Sequence, residues 1–166
     1  MIEVVRLGPD DWARYRTLRL AALASDPDAF GSQLHEEADQ PEAFWRQRVA
    51  HRAVDTLLAH EAGDDLGLVV VAPAWDGGDD GAIYSLWVKP EGRGRGVGDA
   101  LMAAAEAAAV RRGLVTLRLE VGSHNHAAQR LYERAGYRPT GRTSTMPPPR
   151  EHIEELELAL SLPRAP

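Results

Sequence analysis

The segment from Ala82 to Arg112 constrains this chain most. An apolar β run, Ala82-Ile83-Tyr84-Ser85-Leu86-Trp87-Val88, ends at Pro90. It is followed by Glu91-Gly92-Arg93-Gly94-Arg95-Gly96-Val97-Gly98 and a helical pattern from about Val97 to Arg112 that Gly113 stops. A strand, a glycine-dense turn and a helix in succession turn several backbone N–H groups toward one point, where the positive end of the helix dipole favours an anion. Glycine allows the positive φ angles and the close approach that a phosphate requires. Arg93 and Arg95 add charge. Because the helix makes a crossover connection, the strands on its two sides are expected to run parallel.

Spacing narrows the ligand. A P-loop needs Gly-Lys followed by Ser or Thr, but the single lysine, Lys89, precedes this loop and neither hydroxyl residue follows it. The dinucleotide pattern G-x-G-x-x-G puts Val97 or Asp99 in its last position and fails. Charge points the same way as the loop. The chain of 166 residues carries −6 overall, yet residues 93 to 142 hold nine arginines against Asp99, Glu106, Glu120 and Glu133, a local +5 that leaves −11 elsewhere. The net charge disfavours nucleic acid as a partner, whereas the basic segment suits a phosphate-bearing cofactor.

The length fits one domain. The absence of cysteine excludes a disulfide framework, thiolate metal sites and a cysteine nucleophile. The first residues, Met1-Ile2-Glu3-Val4-Val5-Arg6, do not read as a leader. The longest mostly apolar stretch, Leu66 to Trp75, is half the roughly 20 residues needed to span a bilayer. The expectation is a cytoplasmic protein with no membrane partner.

Ile2 to Leu7 reads as a strand. A helix capped by Asp10 or Asp11 follows, with Trp12, Tyr15, Leu18 and Ala22 at helical spacing until Asp26-Pro27. Residues 28 to 40 are polar and irregular, and Pro41-Glu42 opens a helix to about Ala50. Val54 to His60 and Leu66 to Ala74 are strands around a turn at Gly63-Asp64-Asp65. In Leu114 to Val121, Val115, Leu117, Leu119 and Val121 share one face while Thr116, Arg118 and Glu120 take the polar face. Asn125 caps a helix ended by Gly136, and two last strands fit Tyr137 to Thr145 and Ile153 to Leu162.

Arg93-Gly94-Arg95-Gly96-Val97-Gly98 resembles the Q/R-x-x-G-x-G/A signature of the GNAT-superfamily N-acetyltransferases. The run from Asn125 through Leu131-Tyr132-Glu133 to Gly136-Tyr137 looks like the second signature of that family. The resemblance implies a single N-acetyltransferase domain over residues 1 to 166. Its α/β fold would be a central mixed, mostly antiparallel sheet flanked by helices, with splayed parallel strands around the cofactor loop. It also implies acetyl-CoA as cosubstrate and direct acetyl transfer to a primary amine, on a small molecule or a peptide. A non-catalytic acyl-CoA-binding or sensing module with the same fold is the alternative.

By the same resemblance, Leu86, Trp87 and Val88 would line the pantetheine arm, and Arg93, Gly94, Arg95, Gly96, Val97, Gly98 and Asp99 would hold the pyrophosphate. Asn125 and Tyr132 would also touch the cofactor. Val88 N–H would be the oxyanion donor and Tyr132 the acid that protonates the departing thiolate. The glutamate that many relatives carry on the strand before the loop is missing, since Ala82, Ile83 and Ser85 stand there. Glu120 and His124 are the candidate bases, with Asp79 and Asp80 acting through water behind them. His124-x-His126 has no third ligand at a recognisable spacing, and Asp76, Asp79 and Asp80 lack a calcium pattern, so no metal is expected. The acceptor should bind among the first helices, the 28 to 40 loop and the 146 to 150 loop, where Glu36 and Glu37 would suit a cationic amine. The C-terminal strands could carry a homodimer contact.

Overall fold

In the computed structural model, which describes residues 1–164, a seven-stranded sheet forms the centre. The strands are β1 (Glu3–Arg6), β2 (Asp55–Glu61), β3 (Asp64–Pro73), β4 (Gly81–Val88), β5 (Thr116–Gly122), β6 (Arg138–Thr145) and β7 (Glu154–Ser161), in the order β1-β2-β3-β4-β5-β7-β6. Every pairing is antiparallel except β4 with β5. The helices are α1 (Trp12–Ser25), α2 (Leu34–Glu37), α3 (Glu42–Ala50), α4 (Val97–Arg111) and α5 (His126–Arg134). Among the described residues, no helix is long and apolar enough to cross a membrane.

β2 and β3 are buried on both faces, and successive residues divide between two cores. Leu57, Val69 and Val71 pack with Leu101, Met102 and Ala105 of α4 on one face. Leu58, Leu68 and Val70 pack with Tyr15, Leu18 and Trp45 of α1 and α3 on the other. The alanines of α4 at 105, 108 and 109 are buried, which lets that helix lie close against the sheet.

Two features open the sheet at its middle. β4 and β5 pair only at Gly81 with Leu117 and at Ala82 with Arg118, so beyond Ala82 the two strands part. In the β3–β4 ladder Leu68 faces Trp87 and Val70 faces Tyr84, which leaves Ser85 and Leu86 together opposite Val69 as a bulge. Ser85 takes a left-handed φ of 57° and its Oγ accepts from Arg19 Nη1 at 2.9 Å. A serine in that conformation costs of order 1 kcal/mol or more, and the contact with Arg19 helps hold it.

Several sequence expectations need correction. The β2–β3 turn is the pair Ala62-Gly63, with φ of 51° and 89°, so β3 begins at Asp64 inside the expected turn. Residues 28 to 40 are not irregular throughout, because Leu34–Glu37 forms the helical turn α2. Val115 precedes β5 and is 47% exposed instead of inward. Arg118, placed on a polar face by the alternation, is buried. Its guanidinium meets Asp76 at 2.6 Å, Asp80 at 3.3 Å and Glu157 at 3.5 Å and stacks over Trp75 at 4.8 Å. Its cation ties the turn before β4 to the sheet.

Candidate active site

Two cavities, of about 550 and about 560 Å³, open beside the parting of β4 and β5. The first lies along Leu86 to Val88, the glycine loop and the start of α5; the second lies beneath α1, α3 and residues 29 to 32. Leu86, Glu120 and Tyr132 line both, as does Ala29. The three strand and helix residues therefore mark where the two cavities adjoin, beside the gap in the sheet.

The first cavity includes a stretch of backbone from the glycine loop and the start of α4. Gly94 and Gly96 have φ of 71° and 84°, and no heavy atom lies within 4 Å of where a Cβ would stand on either, so their surroundings are open. The first i to i−4 bond of α4 runs from Ala100 N–H to Gly96 C=O at 3.0 Å. The amides of Val97, Gly98 and Asp99 thus have no intrahelical acceptor and sit at the positive helix end. Gly98 has another duty, since a Cβ there would come within 2.9 Å of Leu131 Cδ2. An open cradle of free amides fits a pyrophosphate.

Lys89 N–H bonds Leu66 C=O at 2.8 Å across the ladder. Alternation along a strand then turns Val88 N–H the other way, into the gap toward β5. The Trp87 side chain belongs to the core beneath α1, and its Nε1 donates to Asp26 Oδ2 at 2.7 Å. Asn125 Oδ1 accepts from Ala128 N–H at 3.3 Å, capping α5 while it lines the cavity.

The arginines of the loop behave differently from a simple anion clamp. Arg93 donates to Val88 C=O at 3.0 Å and to Asp26 at 2.9 Å, so its side chain closes one wall. Arg95 pairs with Glu61 on β2 and is not among the residues lining the cavity. Asp99 lines the cavity and faces Arg134 at 3.3 Å.

Tyr132 is 7% exposed, and burial raises its phenol well above the usual value. Such a hydroxyl stays protonated near neutral pH. Of the candidate bases, Glu120 lies at the junction, exposed, and accepts from Ser144 Oγ of β6. His124 is exposed on the loop after β5 and lines neither cavity. Asp80 is paired with Arg118, and Asp79 lines neither cavity. No group of three or more metal-ligating side chains occurs among the described residues.

The second cavity is made of side chains from distant segments: Tyr15, Arg19, Phe30, Arg48, Trp75 and Tyr84 around Glu120 and Glu155. Of the segments expected to form it, the first helices and residues 29 to 32 do so. The 146 to 150 loop acts from behind, with Arg150 donating to Pro27 and Gly31 C=O at 2.5 and 2.9 Å. Glu37, expected as a free acidic group, is buried. It accepts from Arg19 Nε and Nη2 at 2.9 Å each and meets Arg48 Nη1 at 3.2 Å. Burial would raise its carboxyl, but the two guanidiniums outweigh that and hold it below the ordinary range. Arg19, Arg48, Asp26 and Ser85 escaped sequence reasoning; none stands in a local pattern that would single it out.

Comparison with known proteins agrees with this architecture. The acetyltransferase (GNAT) family matches residues 19–137. The chain is 33% identical over 99 residues to the uncharacterized N-acetyltransferase YhfO of Bacillus subtilis, covering 58% of this chain and 66% of that protein. It is 38% identical over 120 residues to a mycothiol acetyltransferase of Kineococcus radiotolerans, covering 72% of this chain and 37% of that protein. Both alignments fall short of two-thirds of the relative. The structure of yncA, an acetyltransferase of Salmonella typhimurium solved with acetyl-CoA, has a TM-score of 0.80 at 17% identity, covering 100% of this chain and 96% of that one. With the splayed β4–β5 pair, the glycine cradle and a family match over most of its length, the chain belongs to the GNAT acetyltransferase family.

Proposed function

We propose that residues 1 to 166 act as one N-acetyltransferase domain that moves an acetyl group from acetyl-CoA directly to a primary amine. The observation that carries this reading is the meeting of two cavities at Leu86, Glu120 and Tyr132. A module that only bound acyl-CoA would have no use for the second cavity. Leu86 to Val88 would pair with the pantetheine arm as an added strand, and the amides of 94 to 99 would hold the pyrophosphate. Acetyl-CoA supplies a thioester already activated toward amines.

The residues at the junction divide the work. Glu120 takes the proton that an ammonium, with pKa about 10, must lose before its nitrogen can attack. Val88 N–H donates to the carbonyl oxygen as charge gathers there, and a fixed donor of this kind is worth about 3 kcal/mol. Tyr132 gives its proton to sulfur while the carbon–sulfur bond breaks, sparing a thiolate whose conjugate acid has pKa about 8.5. Holding both reactants at one junction lowers the entropic part of the barrier.

Thiol release from acetyl-CoA across small amines, polyamines and peptide N-termini tests the reading. Amine-dependent release by the wild type, together with acetyl-CoA binding by calorimetry, is expected. Binding without release on any amine would favour the acyl-CoA-binding module.

A further inference from the structure

The second cavity has two electrical ends. Glu120 and Glu155, on β5 and β7, stand at one side. Arg19 and Arg48, on α1 and α3, stand at the other. Behind the arginines lies a single carboxylate, Glu37, which is not among the lining residues. Arg19 saturates it with a two-pronged pair, both contacts at 2.9 Å, and uses Nη1 on Ser85. That pair is complete by itself. Arg48, touching the same carboxylate through Nη1 alone at 3.2 Å, is the surplus cation.

Arg48 is also held in place. Its guanidinium lies over the rings of Tyr15 at 5.8 Å and Phe44 at 5.2 Å, and its side chain is about one-third exposed. A flat, fixed guanidinium at a cavity wall with unused donors is suited to a carboxylate, which it can meet with two parallel hydrogen bonds. Between the two ends the cavity wall includes the rings of Tyr15, Phe30 and Tyr84. A polyamine would meet the arginines with like charge, a repulsion that is costly away from bulk water.

Building on the transfer reading above, we infer that the acceptor is a small zwitterion: an amine carrying its own carboxylate and an apolar side chain, of the amino-acid type. Arg48 receives the carboxylate and the Glu120 side receives the ammonium. Arg48 is a binding residue for this acceptor, and Arg19 with Glu37 forms the support behind it.

L-Phenylalanine, L-methionine and L-leucine, each paired with its C-terminal amide, supply the test, with spermidine as the polycation arm. Binding is read by calorimetry in the presence of CoA and transfer by thiol release. At least one free amino acid should bind and react about tenfold better than its amide, and spermidine should do worse than either. Arg48→Met should remove the tenfold preference while leaving acetyl-CoA affinity and Tm close to wild type, because Arg19 and Glu37 remain paired. Arg48→Lys should restore part of it. Equal use of acids and amides, a preference for spermidine, or a preference that survives Arg48→Met would overturn the inference. So would failure of every free amino acid to bind. Binding of the free acid with no thiol release on any amine would instead overturn the transfer reading and leave the zwitterion site standing.

Discussion

The two cavities that meet at Tyr132 are made of different materials. The one beside the glycine loop draws on backbone for its anion cradle: free amides at the start of α4, glycines at positive φ and the open edge of β4. The one beneath α1 and α3 is walled by side chains brought from many separate segments, and its polarity depends on how two arginines share one carboxylate. A backbone site has to be encoded in contiguous residues. A side-chain site can be assembled from any residues the fold brings together, and it is free to change while the first stays fixed.

Substitutions separate the two regions, and the largest effect belongs to the side-chain cavity. Glu37→Ala leaves the Arg19 cation buried without a partner and should cost about 3 to 5 kcal/mol, read by denaturant unfolding. A mere surface role for Glu37 would give a loss under about 1 kcal/mol. Next comes the junction. Tyr132→Phe should lower kcat about a hundredfold and leave acetyl-CoA affinity nearly unchanged, since the ring and its packing persist. Unchanged turnover would remove Tyr132 from the acid role.

The cavity beside the glycine loop should respond more mildly. Gly96→Ala puts a Cβ on a residue at φ 84°, costing about 1 kcal/mol or more, and weaker acetyl-CoA binding by calorimetry should accompany the loss. Normal stability and affinity would show that the loop tolerates a side chain there. The smallest effect is on the pH dependence of stability. The Glu37 carboxyl is held below its unfolded value of about 4.3, so its contribution is complete above that pH and disappears as pH falls through the lower folded value. Stability of the wild type should therefore fall on acidification below about pH 4, and Glu37→Gln should flatten that part of the curve. A slope identical in both proteins would assign the acid loss to other carboxylates.

The same contrast explains what could be read beforehand. The order of elements and the parallel β4–β5 pair were legible because periodicity, glycine spacing and caps are local. Arg118 was not: alternation put it on a polar face, and only the fold shows that face covered by Trp75 and by Asp76 and Asp80 of the preceding turn. Glu37 suggested a lure for a cationic amine, and the structure neutralises it with Arg19 from 18 residues away and with Arg48 of the next helix. Arg95 shows the same dependence, since the side chain of this residue within the loop motif pairs with Glu61 on β2. Charge counted along a sequence says where cations are plentiful. Which of them remain unspent depends on tertiary partners.

Direct transfer at the junction of Leu86, Glu120 and Tyr132 requires both substrates to be bound together. Initial rates measured over a grid of acetyl-CoA and amine concentrations test this most directly. Intersecting double-reciprocal lines are expected, as a ternary complex demands; parallel lines, the mark of an acyl-enzyme formed before the amine arrives, would contradict it.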